Sequence, residues 1–290
     1  MHASDVRRAV AAAMSMASRL GLTADHAVIL RDSNKLTARL VPCDVVARVA
    51  HVGHEVAAFE VDLAERLGAV TSPVAAPDPR VEPRVYQTDG FALTLWTYYE
   101  PVTPPQAFVG GYAHALSRLH AGMRTLDVAT PHFMDRVDEA ELLVASRDRT
   151  PTLADGDREL LVHHLRRARR GVGVRAAAEQ LLHGEPHPGN LISTKDGPVF
   201  IDFETCCRGP IEFDLAHVPE EVSTLYPGAD QRLLGECRNL VLAMVAAWRC
   251  DPGDQLPDGP RQLHELLRAL RDGPPWPAID DIGRGGALVR

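Results

Sequence analysis

The sequence predicts an α+β protein in which a small antiparallel sheet with one main helix precedes a larger, mostly helical part. Short apolar segments joined by turn residues dominate the first third of the chain, whereas apolar residues later recur at helical spacing. Pro101, Pro104 and Pro105 lie between the two patterns. We therefore expect two parts, residues 1–100 and residues 101–290.

The elements of the first part follow from apolar runs and turn residues. An alanine-rich run from Ala9 to Ala17 follows Arg7 and Arg8; a secretory segment would also have this pattern, but a helix fits better because Ser15 interrupts the run. The pattern predicts a helix over residues 53–67, ended by Gly68. The predicted strands are residues 26–30, 36–41, 45–49, 85–87 and 91–96.

In the second part, apolar residues repeat every three or four positions over residues 108–119 and 233–248, which predicts two amphipathic helices that pack in a core. A second type of element lies between them. Residues 191–193 and 199–201 are short apolar runs on either side of the turn signal Asp196-Gly197, which predicts a β-hairpin.

Composition and charge limit the function. The net charge of −8 argues against a nucleic-acid partner, which would need clustered Lys and Arg, and it is compatible with a cationic ligand. Five cysteines without regular spacing predict no disulfide framework and favour the reducing cytoplasm. No apolar run approaches the length of a membrane span, so we expect no membrane association. The oligomeric state stays open.

Polar residues flank the predicted hairpin. Asn190 precedes its first strand and Asp202 follows its second, so the hairpin would bring the two side chains together, with Glu185 on the preceding loop. Carboxylate and amide oxygens are ligands that suit Mg²⁺. The sequence therefore predicts Asn190 and Asp202 as metal ligands.

The segments HGEPHPGNLI, IDFE and GPIEFDLA resemble the aminoglycoside phosphotransferase and choline-kinase-like family of the protein-kinase-like superfamily. The resemblance implies a bilobal fold, with residues 1–100 as a nucleotide-binding lobe that ends in a hinge. Residues 101–290 would carry the catalytic loop and the acceptor site. The implied reaction is Mg²⁺-dependent transfer of the γ-phosphoryl group of ATP or GTP to a small-molecule hydroxyl. An aminoglycoside-like antibiotic and an amino-sugar or amino-alcohol metabolite are both possible acceptors.

The same resemblance implies the catalytic residues. Glu185 stands where the family has a catalytic aspartate, and with Asn190 and Asp202 it would form the catalytic set. His183 and Asp214 would support the catalytic loop. Glu185 is longer than aspartate by one carbon–carbon bond, about 1.5 Å, although its basicity is similar. Glu204 would hold metal or fix its loop.

Departures from the family also mark the nucleotide site. Arg48 replaces the lysine of the third strand, with Val46 on the same face toward the base. Spacing on the helix favours Glu55 as the partner of Arg48 and directs Glu60 away. The remaining nucleotide-binding residues would be Ser33 and Asn34 in a phosphate turn, Trp96 at the end of a strand, and Thr97 and Tyr98 in the hinge of residues 97–100.

Two alternatives stay open. Glu185, Arg48 and the glycine-poor phosphate turn are also compatible with a pseudokinase, an inactive module that binds nucleotide or protein. Acidic residues of the second part could face a cationic acceptor, but a solvated helix surface is the simpler interpretation. These residues are Asp135, Asp138, Glu139 and Glu141.

Overall fold

The structure is a computed structural model that describes residues 3–32, 35–53, 56–102, 108–175, 178–254, 256 and 258–282. The chain divides into two compact units. The first contains residues 1–104 and 192–204, and the second contains residues 105–191 and 205–290. The assignment of nucleotide binding to residues 1–100 and of catalysis to residues 101–290 stays a prediction.

Within its described residues, the first unit contains a five-stranded antiparallel sheet and two helices, as the predicted α+β class requires. The strands have the order β1-β2-β3-β5-β4 in the sheet. Its elements are α1 (Ala3–Arg19), β1 (Ala24–Asp32), β2 (Leu36–Pro42), β3 (Val45–His51), α2 (Val56–Ala69), β4 (Tyr86–Thr88) and β5 (Phe91–Thr97).

The two faces of this sheet have different partners because successive side chains of a strand point to opposite faces. One face and α1 form the main core of the unit, which includes Ala13, Leu40 and Leu93. On the other face, Val46 of β3 packs with Trp96 of β5 and with the apolar side of α2. Arg48 lies two residues after Val46, so it shares the α2 face.

The predicted hairpin is present as β7 (Leu191–Thr194) and β8 (Gly197–Phe200). Thr194 Oγ1 donates to the Gly197 carbonyl oxygen across the turn at 2.7 Å. Phe200 exchanges backbone hydrogen bonds with the segment after α2, since its amide donates to Pro73 and its carbonyl accepts from Ala75. These bonds fix the position of residues 202–204 within the first unit.

The second unit is mostly helical, and α8 lies at its centre. This helix packs on α4, α5, α6 and α9, and its apolar side chains are buried because they recur at helical spacing. In the described part of the chain, no helix is long and apolar enough to cross a membrane. The elements are α3 (Phe108–Met123), α4 (Phe133–Ala145), α5 (Asp155–Arg175), β6 (Gln180–Leu182), β9 (Cys207–Gly209), α6 (Ile211–Leu215), α7 (Glu220–Leu225), α8 (Gln231–Arg249) and α9 (Gly259–Asp272).

Candidate active site

The loop after β6 makes a close turn at Gly184. Its φ angle is +90°, a conformation that glycine adopts without steric cost. A Cβ atom at this position would lie 2.0 Å from the carbonyl oxygen of Thr205. The local sequence His183-Gly184-Glu185 therefore needs glycine at its centre for the loop to approach the segment before β9.

Asp214 of α6 holds this loop through its backbone. The buried Asp214 carboxylate accepts hydrogen bonds from the amides of His183 at 2.9 Å and Gly184 at 2.8 Å. It also accepts from Nε2 of His120 at 3.0 Å, and Nδ1 of His120 lies 2.8 Å from the Tyr226 hydroxyl. Burial raises the pKa of Asp214, but the hydrogen bond from His120 and the nearby imidazoles of His120, His183 and His217 together outweigh burial and lower that pKa below its ordinary value.

Glu185 follows this braced turn and forms an ion pair with Arg136 of α4. Nη2 of Arg136 donates to the Glu185 carboxylate, whose side chain is 26% exposed. Burial raises the pKa of Glu185, but the charge and hydrogen bond of Arg136, together with His217 and His187, outweigh burial and lower the pKa. Glu185 is therefore ionised at neutral pH.

Asn190 is attached to the same loop. It ends a short 3₁₀ turn, Pro188–Asn190, which His187 caps because its Nδ1 accepts from the Gly189 amide at 3.0 Å. Nδ2 of the buried Asn190 donates to the Glu185 carbonyl oxygen at 3.0 Å. This bond uses the nitrogen of the amide, so Oδ1 is the atom through which Asn190 could bind a metal.

In the first unit, Arg48 connects two carboxylates. Its Nη1 lies 2.8 Å from Oε1 of Glu60 and its Nη2 lies 2.6 Å from Oδ1 of Asp202. Burial would lower the pKa of Arg48, but Glu60 and Asp202 outweigh burial and raise it. Arg48 is thus a largely covered cation on the α2 face of the sheet.

Glu60 corrects one expectation, because it is directed toward Arg48 and not away from it. The helix begins at Val56 in the described chain, and its buried face contains Glu60, Leu63, Ala64 and Leu67. Glu55, the predicted partner, lies outside the described residues, as do Ser33 and Asn34. The prediction was wrong because it took Phe59 to mark the buried face of the helix, and Phe59 is not buried with that face.

Lys35 is a second cation on Glu60. Its Nζ lies 3.0 Å from Oε2 of Glu60 and 2.6 Å from Oε2 of Glu204. Glu60 therefore has one oxygen on each cation, and Oε1 also accepts from the Phe203 amide at 3.1 Å. We refer to Lys35, Arg48, Glu60, Asp202 and Glu204 as the Glu60 cluster.

Asp202 leaves the hairpin with a φ angle of +69°, which aspartate tolerates better than most residues. In the described residues, no group of three or more His, Cys, Asp or Glu side chains could hold a metal ion by itself. Mg²⁺ commonly needs only one or two carboxylates, because substrate phosphates and water complete its shell. The oxygen chemistry of Asp202 and Asn190 fits this ion, while the predicted meeting of the two side chains stays a prediction.

The predicted hinge residues are held within the first unit. Trp96 is buried, and its Nε1 donates to Oγ1 of Thr94 at 2.8 Å. The Thr97 amide donates to the Ala76 carbonyl at 3.0 Å, so this amide is already used by the protein. The ring of Tyr98 stacks on the guanidinium of Arg39, 3.8 Å from the ring centroid. The role of these residues in binding a base stays a prediction.

Asp135, Asp138 and Glu141 of α4 have protein partners. Asp135 caps the helix by accepting from the His132 amide at 2.9 Å. Asp138 pairs with Arg169 of α5, and Glu141 lies 3.9 Å from the same guanidinium. These contacts favour a structural role for this surface over recognition of a cationic acceptor.

Sequence reasoning did not identify Lys35, Glu60 and Arg136 as site residues. Lys35 carried a usable signal, since strand alternation places it with Thr37 and Arg48 on one face of the sheet. No sequence signal indicated Arg136, because its contact with Glu185 joins positions 49 residues apart and no sequence pattern connects the two elements.

Solved structures with the same fold include an amicoumacin kinase in complex with AMP-PNP, Ca²⁺ and its antibiotic. It has a TM-score of 0.69 and 13% identity, and the alignment covers 96% of this chain and 98% of that one. A choline/ethanolamine kinase family protein from Mesorhizobium loti has a TM-score of 0.67 and 14% identity over 95% and 97%. The GDP and kanamycin complex of an APH(2") aminoglycoside phosphotransferase has a TM-score of 0.64 and 13% identity over 90% and 96%.

These matches place the chain in the protein-kinase-like fold. No curated protein matches the sequence significantly. The sequence profile of the phosphotransferase enzyme family (APH) matches residues 22–236, which include every candidate catalytic residue from Glu185 to Asp202. The chain belongs to the phosphotransferase enzyme family.

Proposed function

We propose that this protein is a small-molecule kinase that transfers the γ-phosphoryl group of a nucleoside triphosphate to a hydroxyl group. The observation that carries the proposal is the ionised Glu185 on a loop that Asp214 braces, in a chain of the phosphotransferase enzyme family. A fixed carboxylate is what the reaction needs to orient an attacking hydroxyl.

In the proposed reaction, the hydroxyl oxygen forms a bond to the γ-phosphorus while the bond to the β-phosphate oxygen breaks and the diphosphate leaves. Glu185 accepts a hydrogen bond from the hydroxyl and takes its proton. Because Arg136 lowers the pKa of Glu185, the carboxylate is a weak base. Phosphoryl transfer tolerates this, since positioning and charge stabilisation contribute most of the rate enhancement.

The Glu60 cluster supports the phosphate side of the proposal. Arg48 and Lys35 supply two positive charges on the α2 face of the sheet, and Glu60 fixes both. Asn190 and Asp202 would hold Mg²⁺, which would neutralise charge on the phosphates when bound. Arg48 would then steady the phosphates through its charge, since its Nη1 and Nη2 are already bound to Glu60 and Asp202.

The acceptor is proposed as an antibiotic of the aminoglycoside type or an amino-sugar or amino-alcohol metabolite. Support comes from similar structures described as kinases of amicoumacin and of choline, and as a complex with kanamycin. Both an ATP analogue and GDP occur among those complexes. The assay should therefore compare ATP with GTP as the phosphate donor, with Mg²⁺ present.

The test measures nucleoside diphosphate release across aminoglycosides, amino sugars, choline and related alcohols. We expect acceptor-dependent turnover that falls about a hundred- to ten-thousand-fold in Glu185→Gln. The matched control is Glu179→Gln, a half-exposed carboxylate of the same unit that pairs with His132 and should retain full turnover. Unchanged turnover in Glu185→Gln would contradict the assigned role.

A second function has its own support. Asp202 is paired with Arg48 and Glu185 with Arg136, so a cation already neutralises each carboxylate. A pseudokinase that binds nucleotide without turnover would have this property. Calorimetric titration of ATP with and without Mg²⁺ separates the two functions. An enzyme should bind Mg-ATP more tightly than ATP and turn it over, whereas nucleotide binding that does not depend on Mg²⁺, without turnover, favours the pseudokinase.

A further inference from the structure

Arg136 contacts the loop of Glu185 from a different element, α4. Its Nη2 donates to the Glu185 carboxylate, and its Nη1 lies 3.4 Å from the carbonyl oxygen of Gly184. The guanidinium also lies over the indole of Trp248, 4.8 Å from the ring centroid. One side chain thus holds both the carboxylate of Glu185 and the backbone immediately before it.

The environment of Arg136 fixes its direction. Its side chain is 16% exposed, and Trp248 belongs to α8, which packs along α4. An arginine that stacks on an aromatic face loses that attraction if it rotates toward solvent. Because the guanidinium is planar and already oriented, little side-chain entropy is lost when it binds the carboxylate.

The length of Glu185 is important for this contact. An aspartate at position 185 would be shorter by about 1.5 Å, and a hydrogen bond lengthened by that amount is no longer a bond. Without a partner, the longer glutamate would also have one additional rotatable bond to order. The arginine at position 136 removes this freedom by binding the tip of the side chain.

We propose that Arg136 is the positioning residue that allows glutamate to act at position 185 in place of the shorter aspartate. The inference rests on the proposed function, because it concerns how Glu185 is presented to the acceptor hydroxyl. Arg136 binds one carboxylate oxygen of Glu185 and the carbonyl oxygen of Gly184, so it fixes the side chain and its backbone together. It acts through Glu185 and has no assigned contact with substrate.

Several other titratable groups act on Glu185 and set the background for a pH measurement. His217, which follows α6, is neutral because burial lowers its pKa to about 4. The Cys207 thiol of β9 is also neutral because burial raises its pKa. The charged or titratable groups that surround Glu185 are Arg136 from α4, His183 and His187 from its own loop, Cys207 from β9, Asp214 from α6 and His217.

The first measurement does not depend on activity. In full-length protein labelled with ¹³C at the glutamate carboxyl carbon, Glu185→Gln assigns the Glu185 resonance, and its titration gives the pKa. We expect the pKa of Glu185 to rise in Arg136→Met and to stay low in Arg136→Lys, which retains the charge. Arg169→Met is the matched control, because it removes a guanidinium that pairs with α4 at Asp138. That variant should leave the Glu185 titration unchanged.

The second measurement concerns turnover. Arg136→Met should lower kcat about ten- to a hundredfold, as expected for a reacting group displaced by about 1 Å. Its affinity for nucleotide should stay near that of the wild type, and urea unfolding should show that the variant is folded under the assay conditions. The acidic limb of the kcat/KM profile should move to higher pH. In a Glu185→Asp background, Arg136→Met should have little additional effect, since the shorter side chain no longer reaches the guanidinium.

The outcomes separate the two proposals. An unchanged pKa of Glu185 in Arg136→Met, or full kcat despite a raised pKa, would overturn the positioning role while the kinase stands. Equal effects of Arg136→Met in the wild-type and Glu185→Asp backgrounds would also overturn it. A wild-type protein that binds nucleotide but transfers phosphate to no acceptor would instead overturn the proposed function, and the positioning role in catalysis with it.

Discussion

Replacing Asp214 by asparagine tests whether the candidate loop depends on one buried carboxylate. Asp214 is 0% exposed, and its two oxygens accept from the amides of His183 and Gly184 and from Nε2 of His120. Asparagine has one acceptor oxygen and an NH₂ group. The NH₂ group would face an N–H donor, so Asp214→Asn removes hydrogen bonds without changing the shape of the side chain.

The expected loss of stability is large. Hydrogen bonds to a charged group contribute about 1.5–3 kcal/mol each, and removal of one partner from a buried charge pair costs about 3–5 kcal/mol. We expect Asp214→Asn to lower the free energy of unfolding by about 3–5 kcal/mol. Because the pKa of Asp214 is lowered in the folded state, this contribution is present above the unfolded pKa of about 3.9 and is lost as the pH falls through the folded value.

Urea unfolding at pH 7 and at progressively lower pH measures this difference. Asp230→Asn is the control, because Asp230 is an exposed helix cap on α8 and asparagine caps helices about as well as aspartate. The stability gap between Asp214→Asn and the wild type should narrow toward low pH. A gap below about 1 kcal/mol at pH 7, or a gap that widens on acidification, would refute the reasoning.

The remaining predictions concern single positions. Gly184→Ala should lower the free energy of unfolding in urea by about 3 kcal/mol or more, because its Cβ would meet a carbonyl oxygen at positive φ. Gly197→Ala, also at positive φ but with open space around it, should lower that free energy less; equal losses would contradict the steric argument. Measured by calorimetry, Lys35→Met should weaken the binding of nucleoside triphosphate about tenfold and leave the binding of nucleoside unchanged. Arg31→Met, at an exposed position, is the control; an equal loss of affinity for the nucleoside would contradict a role in phosphate binding. Wild-type stability should fall by about 3 kcal/mol as the pH drops from 6.5 toward 4, because burial lowers the pKa of His217 to about 4 and the unfolded chain binds the proton first. His217→Phe should abolish this pH dependence in urea unfolding; a wild-type unfolding midpoint that is flat over this range would contradict the assigned burial.

The fold was readable from the sequence where elements are periodic and turns carry their own chemistry. The five strands and the hairpin of residues 191–200 follow from apolar runs on either side of turn residues, and the structure contains each of them. The helix α8 follows in the same way from its apolar stripe. These signals are local, because a side chain's position in a strand or helix fixes the face on which it lies.

Contacts between distant segments were not readable. The choice between Glu55 and Glu60 depended on which residues of α2 form its buried face, and the pattern assigned Phe59 to that face although the structure does not bury it there. The membership of residues 192–204 in the first unit depends on backbone hydrogen bonds to residues 73–75. No sequence pattern indicates these bonds. The pairing of Glu185 with Arg136 likewise needed the packed positions of two elements. The resemblance to the family identified Glu185 as a site residue, but it did not identify Arg136 as the cation that binds it.

The Glu60 cluster has a consequence for how this chain is made. Its members come from residues 35–60 and from residues 202–204, and residues 105–191 of the other unit lie between them in the sequence. During synthesis from the amino terminus, Glu60 and Arg48 are therefore made well over a hundred residues before Asp202 and the Phe203 amide, with which they interact. A fragment that stops near residue 104 would contain all five strands of the sheet but lack these partners. The first unit is thus completed late in translation, when about half of the second unit has already been synthesised.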